Sequence, residues 1–273
     1  MKILITGSTG YIGSCFVKFL ENYDFEIFQI LRSDKYSKDS NIFSFHSILE
    51  ISKIVETIKP DVVFHFAAAY NNLDIAVETA GMVESNVLFG TEILNFLEPN
   101  TKFVYFSSYM QFIGPSFNQN NFYTLTKSTF SLYANYFAKT KKLRVREIIL
   151  SDVYGPGDTR NKVIARLVSD INQFGDFVPN NPAGRVMPIF IEDVLQLLLR
   201  EILIDSEGLA GSVHLNPKWS YAISDIVEYY KAIRTKSFTP VLGGEAIDLI
   251  LPRGTLICDI STPLEIGLKN LLI

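Results

Sequence analysis

The sequence is poor in the residues on which several functional classes depend. It contains only two cysteines, Cys15 and Cys258, which lie far apart and predict free thiols in a reducing compartment rather than a disulfide framework. Its three histidines have no metal-ligating neighbours at a useful spacing, so we expect no metal site. The 25 Lys and Arg residues do not exceed the 29 Asp and Glu residues, and the net charge of −4 argues against binding to nucleic acid. No apolar run reaches the roughly 18–20 residues that a membrane span requires.

Apolar residues, by contrast, are abundant. They make up 48% of the 273 positions, which is enough for a packed core and excludes general disorder. The length favours one domain, or one large domain with a smaller appendage. The apolar start of the chain loosely resembles a signal peptide, but residues 7–10, Gly-Ser-Thr-Gly, interrupt it too early for one. We therefore expect this segment to be part of the folded protein, and we expect the protein in the cytoplasm.

Strand-like and helix-like stretches alternate through the first half of the chain. Short apolar stretches predict strands at residues 2–6, 26–31, 62–66, 102–107 and 144–150. Longer segments with helical spacing lie between them, at residues 11–22, 48–58, 76–97 and 122–140. This alternation predicts an α/β fold, a Rossmann-type doubly wound parallel sheet with helices on both faces.

Prolines and glycines interrupt the second half and predict longer loops there. We expect residues 1–155 to form the dinucleotide-binding domain. A helix at 191–204 and a strand at 212–215 are expected to return to the same sheet, so that 191–216 belongs with it. The rest of 156–273 is expected to be mainly a smaller C-terminal lobe that binds the substrate.

A glycine-rich turn directly follows the first predicted strand. Only about 0.05 such glycine triplets are expected by chance in this composition, so the spacing is informative. A turn of this kind lets backbone N–H groups and a helix N-terminus meet a pyrophosphate without obstruction by Cβ atoms. The predicted cofactor contacts in the turn are Gly7, Thr9, Gly10, Tyr11, Ile12 and Gly13.

The end of the second predicted strand indicates which dinucleotide binds. An acidic residue there favours NAD, whereas an arginine favours the 2′-phosphate of NADP. The sequence has Arg32 at this position and no acid, although Asp34 follows shortly. We therefore expect NADP(H) to be preferred, with NAD(H) as the alternative. Arg32 as a solvated surface charge is the competing interpretation.

Tyr123 and Lys127 form a Y-x-x-x-K pattern, of which about one example is expected by chance. The spacing places both side chains on one helix face, just after the strand that ends in Ser107 and Ser108. Ligands of doubly wound sheets bind beyond the carboxyl ends of the strands, where both elements would point. An ammonium lowers the pKa of a nearby tyrosine, so such a pair can exchange protons while a serine hydroxyl orients a carbonyl or alcohol.

These motifs together resemble the extended short-chain dehydrogenase/reductase family, and within it the nucleotide-sugar epimerase/reductase branch. The resemblance covers nearly the whole chain. It is carried by TGSTGYIG, PDVVFHFAAA (60–69), SNVLFGT (85–91), FSSYMQFIG (106–114), YTLTK, DVYGPGD (152–158), RVMPIFIEDV (185–194) and LPRGTLICDIS (251–261).

The resemblance implies roles for individual residues. Tyr123 would be the catalytic acid/base, and Lys127 would tune it while binding the nicotinamide ribose. Ala67 and Ala68 would line the cofactor. The implied contacts with a nucleoside-diphosphate sugar are Ser108, Tyr109, Tyr123, Asn161, Arg185 and Arg253. The two arginines would face the diphosphate, and for either one a surface salt bridge is the alternative.

Two further expectations follow from the same resemblance. A homodimer would form through segments 76–97 and 122–140, which would pair across a two-fold axis as a four-helix bundle. Asn86 is either a buried helix residue or a support for the proton path.

The sequence departs from the family pattern around the active-site serine. Counting from the strand selects Ser108, counting back from Gly114 lands on Tyr109, and Ser107 is a further alternative. We favour Ser108. The dehydratases of the family carry Thr-Asp-Glu here, and this chain has Ser108-Tyr109-Met110, which argues against 4,6-dehydration.

Three functional interpretations remain. The first is NADPH-dependent reduction of a nucleotide-linked 4-keto-6-deoxysugar at C4, favoured by the short C-terminal lobe and by the short gap between Ser108 and Tyr123. The second is a nucleotide-sugar 4-epimerase, which uses the same residues and retains its cofactor. The third is a non-catalytic nucleotide-binding protein of the same fold, against which the intact Tyr123–Lys127 pair speaks.

Overall fold

The computed structural model describes residues 1–32, 39–70, 76–113, 121–204, 211–237, 240–246 and 249–272, and the side chains of 76–78 lie outside this description. Its strands are β1 (Lys2–Thr6), β2 (Glu26–Arg32), β3 (Ile42–Phe45), β4 (Val62–His65), β5 (Lys102–Ser108), β6 (Arg144–Leu150), β7 (Asp152–Tyr154), β8 (Arg185–Val186), β9 (Pro188–Phe190), β10 (Gly211–Asn216), β11 (Tyr221–Ala222) and β12 (Leu256–Asp259). Its helices are α1 (Tyr11–Leu20), α2 (Ile51–Ile58), α3 (Ala76–Val83), α4 (Phe89–Phe96), α5 (Phe122–Thr140), α6 (Val163–Phe174), α7 (Ile191–Leu203), α8 (Ile223–Thr235) and α9 (Leu264–Lys269).

Eight strands form the main sheet, in the order β12-β10-β6-β5-β4-β1-β2-β3. β1 pairs in parallel with both β2 and β4, and β2–β3 and β4–β5 are parallel as well. The predicted α/β fold with a doubly wound parallel sheet is confirmed. β3 was not predicted, because it is four residues long and three of them are only partly buried, so it lacks a continuous apolar run.

The described chain divides into two compact units. The first comprises Met1–Ile149, Glu201–Val213 and Leu249–Leu256, and the second comprises Leu150–Arg200, His214–Asp248 and Ile257–Ile273. The strands β1, β4 and β5 of the first unit are buried along nearly their whole length. Strands buried on both faces read as continuous apolar runs, which explains why these three were recognisable in the sequence.

The second unit has a core of its own. β7 pairs in parallel with β9, and β8 pairs antiparallel with β11. Tyr154 of β7 packs so closely on Gly267 that a Cβ added to this glycine would lie 2.0 Å from the tyrosine hydroxyl. The buried Asp193 carboxylate accepts hydrogen bonds from the backbone N–H groups of Ser261 (2.9 Å) and Thr262 (3.2 Å). This carboxylate therefore fastens α7 to the segment that precedes α9.

A buried group of charges lies in the first unit, where β5 and β6 begin. One oxygen of the Glu201 carboxylate is 2.6 Å from Lys102 Nζ and 3.3 Å from Arg146 Nε. All three side chains are at most 8% exposed. Burial lowers the pKa of Lys102, and Glu201 opposes that effect. One carboxylate therefore compensates two desolvated cations.

We expect Glu201→Gln to destabilise the protein strongly. The amide keeps the volume of the side chain but leaves Lys102 and Arg146 without a counter-charge, and breaking a buried ion pair costs about 3–5 kcal/mol. Urea denaturation followed by circular dichroism measures the change in the free energy of unfolding. Glu56→Gln on the exposed side of α2 is the matched control and should change it by less than about 0.5 kcal/mol. Equal effects of the two substitutions would contradict this account.

Candidate active site

The glycine-rich turn joins β1 to α1 and packs tightly against the loop after β4. Gly7 has a φ of +69°, and a Cβ at this position would lie 2.5 Å from the Ala67 backbone nitrogen. A Cβ on Gly13 would lie 2.3 Å from the Gly7 carbonyl oxygen. Glycine is therefore required at both positions, at Gly7 by conformation and space and at Gly13 by space alone.

This turn fits the pyrophosphate of a dinucleotide. Gly10 is the N-cap of α1 without a side-chain cap, and no residue that the structure describes in the first helical turn is acidic. Thr9 and Gly10 are exposed, and Tyr11 and Ile12 are half-buried. The buried Ser8 hydroxyl finds no hydrogen-bond partner among the described residues. A helix N-terminus open to solvent and a spare hydroxyl beside it suit an anionic ligand.

The loop after β4 carries the predicted cofactor residues Ala67 and Ala68. The Ala67 backbone N–H donates to the Thr6 hydroxyl (3.3 Å), which is also 2.8 Å from Nδ1 of His65. Burial lowers the pKa of His65 to about 3, so this imidazole is neutral. His65 therefore acts in packing and in holding Thr6. Ala68 is exposed in the same loop, next to Ala67.

Arg32 is the exposed last residue of β2, the position from which the sequence predicts the choice between NADP(H) and NAD(H). Its guanidinium is 2.7 Å from the Glu84 carboxylate and lies over the Phe45 ring, 5.7 Å from the centroid. Both charged side chains are about half exposed. The surface ion pair is thus what the structure has, and contact of Arg32 with a 2′-phosphate stays a prediction. Asp34 lies outside the described residues.

Tyr123 and Lys127 lie in the first two turns of α5. Asn121 caps this helix through a hydrogen bond from the Thr124 backbone N–H to its side-chain oxygen (2.9 Å). The ammonium of Lys127 is 5.9 Å from the centroid of the Tyr123 ring and donates to the Phe106 carbonyl oxygen of β5 (3.0 Å). The predicted pair therefore lies together, next to the carboxyl end of β5.

Burial acts on both members of this pair. It raises the pKa of Tyr123, and the neighbouring Tyr70 raises it further. The expectation that Lys127 lowers the pKa of this tyrosine is therefore wrong for the structure, because desolvation of the phenolate outweighs the ammonium. It lowers the pKa of Lys127 to about 8, against the opposing influence of the Glu147 carboxylate. At neutral pH the phenol carries its proton and most Lys127 ammonium groups are charged. In this state the pair can donate a proton.

Ser107 and Ser108 both lie at the end of β5, in different environments. The half-buried Ser108 hydroxyl accepts a hydrogen bond from the Met110 backbone N–H (3.3 Å). The Ser108 backbone N–H donates to the side-chain oxygen of Gln111 (2.9 Å). It thereby caps the short turn Tyr109–Gln111, on which Tyr109 is half-buried. The Ser107 hydroxyl is buried and has no protein partner in the part of the chain described here. The choice between the two serines stays a prediction.

Asn86 joins the loop after β4 to α5. Its side chain accepts the Ala69 N–H (2.7 Å) and donates to the Ala69 carbonyl (2.9 Å) and to the Thr126 hydroxyl of α5 (3.0 Å). It lies at the centre of a π-helical turn, Glu84–Leu88, between α3 and α4. Such turns frequently occur at functional sites. The buried position of Asn86 was one of the two alternatives in the sequence, but its bridging contacts had no signal there.

The three remaining predicted substrate-binding residues are divided between the two units. Arg185 and Asn161 belong to the second unit, and Arg253 belongs to the first. The Arg185 guanidinium donates to the Ser220 hydroxyl and carbonyl (2.9 and 2.7 Å) and pairs with Glu245 at 3.3 Å. Arg253 is exposed in the turn before β12.

A cleft of about 570 Å³ in the second unit includes Asn161, which is exposed. Its lining comes from the loop after β7, from α6 and from the residues after α9.

Among the described residues, no helix combines the length and the apolar composition that a membrane span requires.

Known proteins resemble this chain over nearly its whole length. CDP-abequose synthase of Yersinia pseudotuberculosis is 25% identical over 255 residues, which make up 89% of this chain and 88% of that protein. The structure of UDP-glucose 4-epimerase from Thermotoga maritima with UDP-glucose has a TM-score of 0.75 at 17% identity, covering 99% of this chain and 97% of that one. MoeE5 in complex with UDP-glucuronic acid and NAD has a TM-score of 0.74 at 19% identity, with the same coverage of both chains.

These similarities agree with the fold described above and with the motifs that carried the resemblance. The predicted membership of the extended short-chain dehydrogenase/reductases is confirmed. The sequence profile of the NAD-dependent epimerase/dehydratase family matches residues 3–204, and the chain belongs to that family.

Proposed function

We propose that this protein reduces a nucleotide-linked 4-keto-6-deoxysugar at C4 with NADPH. The observation that carries the proposal is the Tyr123–Lys127 pair, in which the buried phenol holds its proton beside an ammonium 5.9 Å from its ring. A protonated tyrosine can serve as the general acid of a reduction. The 25% identity to CDP-abequose synthase over 89% of the chain supports a nucleotide-sugar substrate.

The proposed step needs one proton and one hydride. NADPH, when bound, supplies the hydride. Tyr123 gives its proton to the C4 oxygen as the carbonyl becomes an alcohol, and Lys127 stabilises the phenolate that is left. Ser108 donates a hydrogen bond to the same oxygen, with Ser107 as the alternative donor. Asn161, Arg185 and Arg253 are the proposed contacts with the nucleoside diphosphate.

Epimerisation at C4 is the second candidate function. A segment of 78 residues is 35% identical to UDP-glucose 4-epimerase of Mycoplasma genitalium, although it spans only 24% of this chain and 23% of that protein. An epimerase would use Tyr123 first as a base and then as an acid. It would convert its substrate without net consumption of the nicotinamide cofactor.

Tyr123→Phe should lower turnover by roughly 10²–10⁴-fold, the usual contribution of a general acid. The affinity for the cofactor should hardly change, because only a hydroxyl is lost. The assay uses a 4-keto-6-deoxy sugar nucleotide with NADPH, followed by absorbance of the reduced nicotinamide. Tyr23→Phe, in the loop after α1, is the matched control with full activity expected.

The same assay tests the serine assignment and the alternative function. Ser108→Ala should reduce turnover more than Ser107→Ala does. Near-normal turnover of Tyr123→Phe would remove the proposed mechanism. Conversion of sugar without loss of NADPH, together with dinucleotide retained in native mass spectra, would identify an epimerase instead.

We expect NADP(H) to bind at least about tenfold more tightly than NAD(H), a difference of roughly 1.4 kcal/mol. The 2′-phosphate of NADP(H) would replace the Glu84 carboxylate as the ion-pair partner of Arg32. Arg32→Ala should therefore abolish the preference for NADP(H). Titration calorimetry with both cofactors measures it. Arg200→Ala, at an exposed position of α7, is the control that should leave the ratio unchanged. Equal affinities, or tighter binding of NAD(H), in the wild-type protein would contradict the proposal.

We also propose a homodimer through segments 76–97 and 122–140, since they expose apolar side chains, with Leu88 at 48%, Leu132 at 72% and Tyr136 at 61% exposure. Burying such a stripe against its two-fold copy removes apolar surface from water. Light scattering at micromolar concentration should report a dimer, and Leu132→Glu should shift the mass to the monomer. Phe174→Glu, with 71% exposure at the end of α6 in the second unit, should not. A monomeric wild-type protein would rule this assembly out.

A further inference from the structure

Glu147 is a buried carboxylate behind the catalytic helix. It lies in the middle of β6 and is 7% exposed. Its two oxygens accept hydrogen bonds from the hydroxyls of Ser131 (2.9 Å) and Ser212 (2.6 Å). The Tyr105 phenol of β5 lies close to the same carboxylate. Glu147 is therefore a carboxylate enclosed by hydroxyl groups inside the first unit.

The described residues include no cation in direct contact with this charge. The Ser131 hydroxyl, however, also lies 3.2 Å from the Lys127 carbonyl oxygen, on the next turn of the same helix. Glu147 thus contacts α5 one helical turn from Lys127, on the side of the helix where the Lys127 ammonium reaches the Phe106 carbonyl of β5. An uncompensated buried carboxylate is strongly unfavourable, and the Lys127 ammonium is the cation on which it acts.

We propose that Glu147 is a positioning residue of the catalytic centre, the buried counter-charge that keeps the Lys127 side chain in its ammonium form beside Tyr123. The catalytic meaning of this inference rests on the proposed function of the Tyr123–Lys127 pair. The charge relation itself does not, because it concerns only groups inside the protein.

The other titratable groups around Lys127 do not supply this charge. His65 of β4 is neutral because burial lowers its pKa to about 3. Tyr105 of β5 and Tyr123 of α5 both have a raised pKa and stay uncharged at neutral pH. Tyr70, whose ring lies 4.8 Å from that of Tyr123, carries a phenol and no carboxylate. Of these neighbours, Glu147 alone opposes the cost of desolvating the Lys127 ammonium.

Glu147→Gln tests this directly, because the amide keeps the volume and an oxygen acceptor but removes the charge. The titration of Lys127 is followed by NMR on protein labelled with ¹³C at lysine Cε, and Lys127→Arg identifies the signal. The wild-type midpoint should lie near the pKa of about 8, and the Gln variant should titrate roughly one pH unit lower or more. Glu147→Asp, which keeps the charge, should restore most of the difference.

A purely structural role of Glu147 gives a different result. Ser212→Ala removes a hydrogen bond to Glu147 and leaves the charge, so it should lower stability with little effect on the Lys127 titration. If Glu147→Gln does not fold, Glu147→Met combined with Ser131→Ala and Ser212→Ala removes the charge together with the two serine hydroxyls that donate to it. An unchanged Lys127 midpoint in either folded variant overturns the proposal.

Activity provides the second measurement. The alkaline limb of the turnover profile should move to lower pH in Glu147→Gln by the same amount as the Lys127 titration, with near-normal turnover on the acidic side. A shifted titration in a protein without reductase activity would refute the proposed function and leave the charge relation standing. A shifted titration with an unshifted turnover profile would refute the catalytic part of the inference.

Discussion

The parallel pairing of β1 with β4, and of β4 with β5, is the constraint on which the candidate site depends. In this register Thr6 lies beside His65, and His65 lies beside Tyr105. β1 and β4 therefore end at the same level of the sheet, and β5 continues for three residues beyond it, to Ser108. This is why the Gly7 turn approaches Ala67 so closely and why the end of β5 lies within reach of the lysine on α5. A slip of one residue would turn these side chains to the other face of the sheet.

Side-chain hydrogen bonds then hold the segments that the sheet has brought together. Asn86 connects the loop after β4 to α5 through Ala69 and Thr126, and Lys127 connects α5 to the Phe106 carbonyl of β5. Each of these polar groups is buried, so each would be costly if it lost its partner. The loop after β4 and the helix α5 are consequently fixed relative to one another, which is the preorganisation that the proposed proton donor requires.

Much of this could be predicted from residues 1–150. Continuous apolar strands, a glycine triplet and the Tyr123–Lys127 spacing indicated the fold, the cofactor turn and the catalytic pair. The short and partly exposed β3 escaped prediction, as did the π-helical turn around Asn86, because neither has a distinctive hydrophobic period. The partner of Arg32 was equally hidden, since Glu84 is 52 positions away and nothing local connects the two residues.

The sequence by itself determined the parallel sheet, the turn that only glycine can form and the presence of a Tyr–Lys pair on one helix face. These features depend on local conformation and on periodicity, which neighbouring residues decide. Only the tertiary structure decided the charge on each group. Burial shifts the pKa of Tyr123 and of Lys127 in opposite directions. Glu147, on the strand β6, counters the lowering of the Lys127 pKa. Desolvation and charge interactions depend on which atoms surround a group in space, and residues distant in the chain provide them.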